Sequence, residues 1–262
     1  MRLHCEGALY SPDARLLCRQ LRLQVEAGQV WALMGPNGSG KSTLLYALAG
    51  LGADSPALKV NFQGEAVASM EPKKRASLIG ILLQQEEAIF WGSVAEYVML
   101  GAYAQASWQW NRPWGWWRAD ESRLQAAMAS MELLNDAKRS YDSLSGGQRQ
   151  RVRMAQLIMQ QPSVMLLDEP LQHLDIHHQR QLLEFVTKRV SQHPKDHAVV
   201  MVLHDLIWPT RVCTHALLLD GLGGAYAGLA SDVLTQPRLE RLFDCSLQPV
   251  SEKFKAGYVP AI

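Results

Sequence analysis

The chain has no long apolar run, no strong excess of one charge and no closely spaced cysteines. No apolar stretch approaches the ~18–20 residues that a membrane-spanning helix needs. The N-terminal stretch carries scattered charges and no apolar core of the signal-peptide kind. We therefore expect the protein to stay in the cytoplasm and to reach any membrane through a partner. The formal net charge of only +1 argues against nucleic-acid binding, for which a strong basic excess is usual.

The four cysteines are far apart and form no C-x-x-C pair, so neither a disulfide framework nor a zinc site built on them is expected. Hydrophobic residues make up 48% of the 262 residues and charged residues 19%, which is enough apolar material for a sizeable core. The sequence also shows no internal repeat and no low-complexity tail. These bounds favour one large domain with an insertion.

Short apolar runs alternate with helical segments, which is the pattern of a parallel sheet covered by helices. Before them, residues 2–25 contain short apolar segments around a turn at 11–13, which predicts antiparallel strands. Residues 89–150 are typical of an inserted helical subdomain. We therefore predict an α/β fold in which residues 1–262 form a single domain. The buried strands of the parallel sheet are predicted at 30–34, 79–83, 164–167 and 199–203.

A glycine-rich loop follows the first of these strands and precedes a helix predicted over 42–51. It fits the pattern G-x-x-x-x-G-K-[ST], in which backbone N–H groups surround phosphates without obstruction by side chains. The dipole of the following helix favours the same anion. We expect Lys41 to contact the β- and γ-phosphates and Ser42 to bind Mg²⁺, so that the protein binds a nucleoside triphosphate. The loop comprises Gly35, Pro36, Asn37, Gly38, Ser39, Gly40, Lys41, Ser42 and Thr43.

The strand at 164–167 ends in two carboxylates, Asp168 and Glu169. Successive strand residues face opposite ways, so the two acids need not share a role. We expect Asp168 to hold Mg²⁺ through water and Glu169 to orient and polarise an attacking water. Two solvated acids at a strand end are common in isolation, but the phosphate loop upstream favours the catalytic interpretation.

Residues 144–148, Leu-Ser-Gly-Gly-Gln, lie just upstream of the acidic strand. On their own they would indicate a flexible turn with Ser145 capping a helix. Between a phosphate loop and an acid pair, they resemble the signature of the ABC ATPases, in which the signature of one subunit contacts the γ-phosphate held by the other. The resemblance therefore implies that Ser145, Gly146, Gly147 and Gln148 take part in nucleotide binding. A helix N-terminus with little side chain suits that contact.

Three further residues take their roles from this resemblance. Gln84 matches the glutamine that links the Mg²⁺ site to the helical subdomain, although Gln85 beside it fits with a shift of one residue. Asp175 lies in a segment similar to the loop that bridges the dimer interface. His204 matches the histidine that senses the γ-phosphate. With Glu169, the resemblance thus implies that Gln84 and His204 are catalytic residues, and that Gln84 also serves the metal.

Two positions fit the family less closely. Tyr10 is the best candidate for the aromatic residue that stacks on adenine, yet its spacing to Gly28 is slightly long. A tyrosine packed on the surface is the alternative. Pro209 falls where the family usually continues a helix, so we expect a kink or a later helix start there.

The resemblance covers nearly the whole chain and extends to a subgroup. The run LDIHHQ at 174–179 and the segment 101–117 are similar to ATPases that serve importers of ferric siderophores, haem and cobalamin. The ending at 242–260 favours cobalamin among the three. Because only one set of motifs is present, the resemblance implies a homodimer, or a pair with a similar subunit, that closes around two ATP molecules.

This resemblance implies an ATPase subunit that powers import through separate membrane permease subunits, with a periplasmic or surface substrate-binding protein in the complex. The chain would lie peripherally on the cytoplasmic face of the inner membrane. Two other functions stay open: a soluble ABC ATPase that acts on a macromolecular complex without transport, and a switch that binds ATP without turnover. Glu169 and His204 argue against the second.

Two clusters allow more than one interpretation. His173, His177 and His178 suggest a metal site, but the sequence shows no acid partner for them, and the interface loop explains them better. Five of the eight tryptophans fall in residues 108–117, beside proline and glycine. They indicate either a loop that contacts a membrane partner or lipid headgroups, or packing within the helical subdomain.

Overall fold

The computed structural model describes residues 2–51, 57–84, 90–104 and 121–249 and the backbone of 258–260. These residues form a six-stranded sheet, a four-stranded sheet, a two-stranded pair and several helices. The strands are β1 (Arg2–Tyr10), β2 (Leu16–Glu26), β3 (Val30–Met34), β4 (Leu58–Phe62), β5 (Glu65–Ala66), β6 (Ile79–Leu82), β7 (Val164–Leu167), β8 (Ala198–Val202), β9 (His215–Leu219), β10 (Ala225–Leu229), β11 (Leu247–Pro249) and β12 (Tyr258–Pro260). The α-helices are α1 (Lys41–Leu48), α2 (Pro72–Leu78), α3 (Val94–Met99), α4 (Glu121–Ser130), α5 (Gly146–Gln160), α6 (Ile176–Gln192), α7 (Trp208–Val212), α8 (Ala230–Val233) and α9 (Gln236–Phe243).

The six-stranded sheet has the order β10-β9-β3-β8-β7-β6, and all neighbours run parallel except β10 and β9. Strands β3, β7 and β8 are buried along their whole length, as expected for apolar strands with both faces covered. The predicted parallel sheet is therefore confirmed, with small shifts in the bounds of β6 and β8. Parallel strands leave their carboxyl ends at one edge, so the segments after β3, β7 and β8 meet there.

The four-stranded sheet has the order β2-β1-β4-β5 and confirms the predicted antiparallel β subdomain. A tight turn joins β1 to β2, in which the backbone N–H of Ser11 donates to the carbonyl of Arg15 at 2.8 Å. The buried face of this sheet shares a core with α1 and with one face of β3, to which Trp31 contributes. The next residue of β3, Ala32, faces the opposite way, into the core shared with the helical insertion.

Helices α3, α4 and α5 form the inserted helical layer. Capping boxes begin two of them: Ser93 with Glu96 at α3, and Ser145 with Gln148 at α5. Helix α5 runs beyond the predicted edge of the insertion at 150, as far as Gln160, and so connects the insertion with β7 of the sheet. The tryptophan-rich residues 108–117 lie outside the described residues, and both interpretations of that loop remain predictions.

The helix after β8 begins late. Trp208 is the first residue of α7, and Pro209 stands in its first turn, where a missing N–H costs no hydrogen bond. The expected later helix start is therefore confirmed. Among the helices of the described residues, none has the length and hydropathy that crossing a bilayer requires.

Gly101 provides a test of how the insertion packs. It lies in a short 3-10 turn (Leu100–Ala104), and a Cβ at this position would lie 2.1 Å from the backbone carbonyl oxygen of Gln156 in α5. Because a helix backbone yields little, we expect Gly101→Ala to lower the free energy of unfolding by about 1–3 kcal/mol. Gly228→Ala is the matched control, since its Cβ would meet only the Val233 side chain at 3.4 Å. Equal losses of melting temperature in the two variants would contradict this packing.

Candidate functional site

The loop after β3 can take its shape only with glycine at particular positions. Gly35 has φ of 154°, and a Cβ there would lie 2.3 Å from the carbonyl oxygen of Leu219 at the end of β9. Gly40 precedes α1 with φ of 100°, and its Cβ would lie 2.9 Å from a methyl carbon of Leu17. Both conformations favour residues without a side chain. The loop is thus held close to its neighbours, with backbone amides available at the start of α1.

Lys41 lies inside this loop. Its Nζ donates to the carbonyl oxygens of Gly35 at 3.0 Å and Pro36 at 2.9 Å, and the residue is only 6% exposed. Burial lowers the pKa of the Lys41 ammonium, while the nearby carboxylates of Glu169 and Asp168 act in the opposite direction. A cation held in this way is positioned to bind the anion that the loop surrounds.

Asp168 follows β7 and is 1% exposed. Its backbone N–H donates to Leu82 at 2.9 Å, and its carboxylate accepts a hydrogen bond from Ser42. Burial raises the pKa of Asp168, although the Ser42 hydrogen bond opposes the shift. Among the described residues, its buried Oδ1 has no hydrogen-bond partner. A buried carboxylate oxygen without a partner, beside a hydroxyl, fits a hard divalent cation that prefers oxygen ligands.

Glu169 and His204 meet at the same edge of the sheet. The Glu169 Oε1 lies 2.7 Å from the His204 Nε2, and because a carboxylate only accepts, the ring nitrogen donates. Glu169 has φ of 50°, in the left-handed region that few residues other than glycine adopt. The two acids differ in environment, because one is buried beside Ser42 and the other is hydrogen-bonded to a histidine, while their separate roles stay a prediction.

A cavity of about 590 Å³ lies in front of the loop. It brings together residues of the glycine loop with Gln84, Glu169 and His204, which come from separate parts of the chain. Its complete lining is Ser11, Arg15, Leu17, Asn37, Gly38, Gly40, Lys41, Ser42, Thr43, Gln84, Glu169, Gln172 and His204. Gln85 lies outside the described residues, so the choice between it and Gln84 is not tested, but Gln84 does line the cavity.

Several predicted residues lie outside this lining. Tyr10 ends β1, where it pairs with Leu16 and is 37% exposed, next to the cavity-lining Ser11. Ser145 is exposed, and its hydroxyl accepts from the Gln148 backbone N–H at 3.3 Å. A Cβ on Gly147 would lie 2.6 Å from the carbonyl oxygen of His173, so the signature segment packs closely against the stretch that leads to α6.

Asp175 caps α6. Its Oδ1 accepts from the backbone N–H of His178 at 2.9 Å and lies 2.8 Å from the Nδ1 of the same histidine. The backbone N–H of His178 is the main reason why the pKa of Asp175 lies below its usual value. The side chain is 66% exposed, so this part of the predicted interface loop is open on the surface of a single chain.

Two buried polar residues of α5 were not predicted from the sequence. The Gln150 side chain donates to the carbonyl of Pro170 at 3.2 Å, and the Arg153 guanidinium donates to Gln150 and to the carbonyl of Leu83. These bonds join α5 to the segment after the acid pair and to the residue before Gln84. The sequence did contain a signal for them: both are polar residues that stand, at helical spacing, on the apolar face of α5, where a buried hydrogen bond is expected. Arg15, which donates to the carbonyl of Gly38 at 3.0 Å, carried no signal of this kind.

The site lies at one edge of a parallel sheet. It can hold a polyphosphate in the glycine loop, beside a carboxylate that can accept a proton. This combination defines the P-loop class of nucleoside triphosphatases. The family model described as ABC transporter matches residues 18–172, more than half of the chain. The chain therefore belongs to the ABC transporter family, whose ATP-binding proteins are ATPases.

Individual relatives agree with this assignment. A hemin import ATP-binding protein of Ruegeria sp. (strain TM1040) is 33% identical over 271 residues, covering 100% of this chain and 95% of the relative. The ferric enterobactin transport ATP-binding protein of Escherichia coli (strain K12) is 33% identical over 227 residues, covering 87% and 81%. A solved inward-facing ABC transporter, described as of the metal-chelate type, aligns with a TM-score of 0.80 and 26% identity over 99% of this chain and 97% of that one.

Arg153 provides a test of the link between α5 and the cavity. Arg153→Met removes a buried charged donor from the Leu83 carbonyl and from Gln150, so we expect the free energy of unfolding to fall by about 1.5–3 kcal/mol. Because Leu83 precedes Gln84, ATP turnover should fall while nucleotide binding persists. Thermal melts, nucleotide binding and ATPase assays measure the three effects. Arg180→Met, which removes an exposed arginine paired with Glu184, is the control; if the two variants behave alike, the link has no special role.

Proposed function

We propose that this chain is the ATP-hydrolysing subunit of an importer for an iron chelate, either haem or a ferric siderophore. The observation that carries the proposal is the cavity in front of the glycine loop, which is lined by Lys41, Glu169 and His204, with the buried Asp168 near Lys41. The substrate class rests on the names of the relatives, which are hemin and siderophore transport proteins. These names support iron chelates and add nothing to the preference for cobalamin suggested by residues 242–260.

The geometry supports a distinct role for each residue. Lys41 would hold the β- and γ-phosphates, because its Nζ already lies among the loop carbonyls where a phosphate oxygen can replace one bond. Glu169 would accept the proton of the attacking water, and His204, 2.7 Å away, would hold that carboxylate in place and contact the γ-phosphate. Gln84 lines the same cavity and would orient the water or the metal.

We further propose that Ser42 and Asp168 hold Mg²⁺. The unpartnered Oδ1 of Asp168 and the adjacent hydroxyl provide the oxygen ligands that this ion prefers. Bound Mg²⁺ would neutralise the charge that develops on the phosphates. Tyr10, at the end of β1 near the cavity, remains a proposal for the residue that stacks on adenine.

The signature favours a site shared between two chains. The cavity of a chain is not lined by that chain's own signature residues, Ser145, Gly146, Gly147 and Gln148. Ser145 is exposed. A helix N-terminus that faces outward can contact a phosphate held by a second copy. We therefore propose a homodimer in which each cavity is closed by the partner's signature and by the exposed Asp175.

Coupling to a permease would run through the helical insertion. A second cavity of about 260 Å³ lies between α2, β6 and α5 and is partly lined by Leu83, which precedes Gln84, and by Arg153, which bonds to the Leu83 carbonyl. Large apolar side chains nearby in the chain are exposed, with Trp91 at 86% and Leu100 at 50%. Exposed apolar surface of this kind is typical of a protein interface. We propose that permease subunits bind here and hold the ATPase at the cytoplasmic face of the membrane, with a substrate-binding protein completing the importer.

A soluble ABC ATPase that acts on a macromolecular complex is the alternative. The two functions differ in what the chain binds. The chain can be expressed together with its neighbouring genes in a bacterial host and affinity-purified in detergent. If the chain belongs to an importer, a polytopic membrane protein should be recovered with it. Recovery of only soluble proteins or ribonucleoprotein would support the alternative.

Glu169→Gln tests the catalytic assignment. The amide cannot accept the proton of the attacking water, so we expect kcat for ATP hydrolysis to fall by about 10²–10⁴-fold while ATP still binds. A dimer that closes on ATP should then accumulate, and size-exclusion chromatography with ATP measures it. Glu184→Gln, on the exposed face of α6, is the matched control and should leave both properties unchanged. Near wild-type hydrolysis in Glu169→Gln would remove Glu169 from this role.

Mixing two inactive variants tests the shared site. Ser145→Arg and Lys41→Ala should each be inactive alone, but a heterodimer of the two contains one intact site. Random mixing should therefore restore up to about one quarter of wild-type activity, because about half of the dimers are mixed and each has one working site. Ser93→Arg removes the other capping-box serine of the insertion and controls for the loss of a helix cap. No recovery on mixing, with both variants folded, would argue that each chain works alone.

A further inference from the structure

Glu132, His177 and His178 form a cluster, and none of the three lines the nucleotide cavity. Glu132 follows α4 in the helical insertion, and the two histidines stand in the first turn of α6, which begins after the proposed interface loop. Their ligand atoms all lie within 4.8 Å of one another. The fold therefore brings an acid partner, Glu132, to two of the three histidines for which the sequence showed none. His173 does not belong to this cluster.

The distances suit a small metal ion. The Glu132 Oε1 lies 3.2 Å from the His177 Nε2, and its Oε2 lies 3.9 Å from the His178 Nε2. A tetrahedral Zn²⁺ with ligands at about 2.0–2.2 Å places neighbouring ligand atoms ~3.3–3.5 Å apart. The two separations lie on either side of that value, and small side-chain rotations would bring the three ligand atoms, all within 4.8 Å of one another, to one ion. The two imidazole rings are nearly perpendicular, at 84°, with centroids 5.1 Å apart, so their Nε2 atoms can converge without the rings colliding.

Asp175 holds the His178 ring in an orientation suited to metal binding. Its Oδ1 lies 2.8 Å from the His178 Nδ1, and because a carboxylate only accepts, the Nδ1 carries the hydrogen. The Nε2 of His178 is then the nitrogen with a free lone pair, on the side that faces Glu132. A carboxylate behind a histidine in this way fixes the tautomer and the ring orientation of metal-binding histidines.

We propose that Glu132, His177 and His178 bind a divalent transition-metal ion, with Zn²⁺ as the best fit, and that the ion ties the helical insertion to the start of α6. Two imidazoles and one carboxylate form a common donor set for Zn²⁺ and leave a fourth position for water. His177 would bind the ion through Nε2, in the tautomer that carries its hydrogen on Nδ1, which it reaches by proton exchange with solvent. Mg²⁺ prefers oxygen ligands, so this site and the one at Asp168 would select different ions.

The bridge would change how two parts of the fold are connected. Without an ion, the Glu132 carboxylate forms exposed hydrogen bonds with His177 and Gln181, each at 3.2 Å. Exposed pairs of this kind contribute little to stability. Coordination to one ion replaces them with a stronger link between the insertion and α6, and binding to the folded state alone raises stability with ligand concentration.

Calorimetric titration of the untagged full-length chain with ZnCl₂ tests the proposal. Excess Mg²⁺ in the buffer occupies oxygen-rich sites such as that at Asp168. We expect one Zn²⁺ per chain at this cluster, and we expect Glu132→Gln and His177→Ala each to weaken the binding at least ~10-fold. Glutamine is a suitable replacement because Gln63 and Gln161 adopt φ of 51° in this same chain, close to the 53° of Glu132. Asp175→Asn keeps an oxygen to cap α6 and should weaken Zn²⁺ binding by about 10- to 100-fold.

Two variants serve as matched controls. Glu184→Gln changes another exposed glutamate of the same region, and His193→Ala disrupts the other close histidine pair, whose ring centroids lie 5.7 Å apart. Both should bind Zn²⁺ like the wild type. Zn²⁺ should also raise the melting temperature of the wild type but not of Glu132→Gln, and melting without metal verifies that each variant is folded. Absence of Zn²⁺ binding in the wild type, or equal binding in Glu132→Gln, would overturn the proposal.

Discussion

The contact between the glycine loop and the end of β9 determines the position of the other parts of the site. Gly35 stands against the carbonyl of Leu219 at a distance that no side chain allows. This contact fixes the carbonyls of Gly35 and Pro36, which in turn hold Lys41. The buried ammonium then lies near two carboxylates, and the sheet brings them to the same edge because β3 and β7 are parallel and flank β8. The charged groups of the site thus depend for their positions on a backbone contact that only glycine permits.

Helix α5 carries this arrangement to the insertion. Its buried Gln150 and Arg153 bond to backbone carbonyls on both sides of the cavity, at Pro170 and Leu83. Removing the Arg153 guanidinium would leave the partly buried Leu83 carbonyl without this donor, which costs more than an exposed ion pair contributes. The helix that begins with the signature is therefore bound to the segments that follow β6 and β7. A rearrangement at either segment has to displace α5 or break these bonds.

The sequence predicts the features that depend on local chemistry. The glycine loop, the acid pair and the signature each occupy a few adjacent residues, and the periodicity of the strands indicated the sheet that brings them together. Contacts between distant residues had no such signal: Glu132 and His177 are 45 positions apart, and Arg153 reaches Leu83 across 70. The role of Tyr10 also depends on the position of the turn between β1 and β2, which the residue type and the spacing to Gly28 do not specify.

The insertion and the core are joined by links of unequal strength. Of the links through α5, the Gln150 bond to Pro170 is buried and the Arg153 bond to Leu83 is partly buried and has a charged donor, so both are shielded from water in the folded chain. The link between Glu132 and the first turn of α6 is exposed, and its side chains are between 21% and 59% accessible. An exposed contact adds little free energy on its own, but it lies beside Asp175 in the loop that a second chain would meet. A change at this position would therefore reach the proposed dimer interface without disturbing the links through α5, whereas a change within α5 would alter the cavity, the signature and the insertion together.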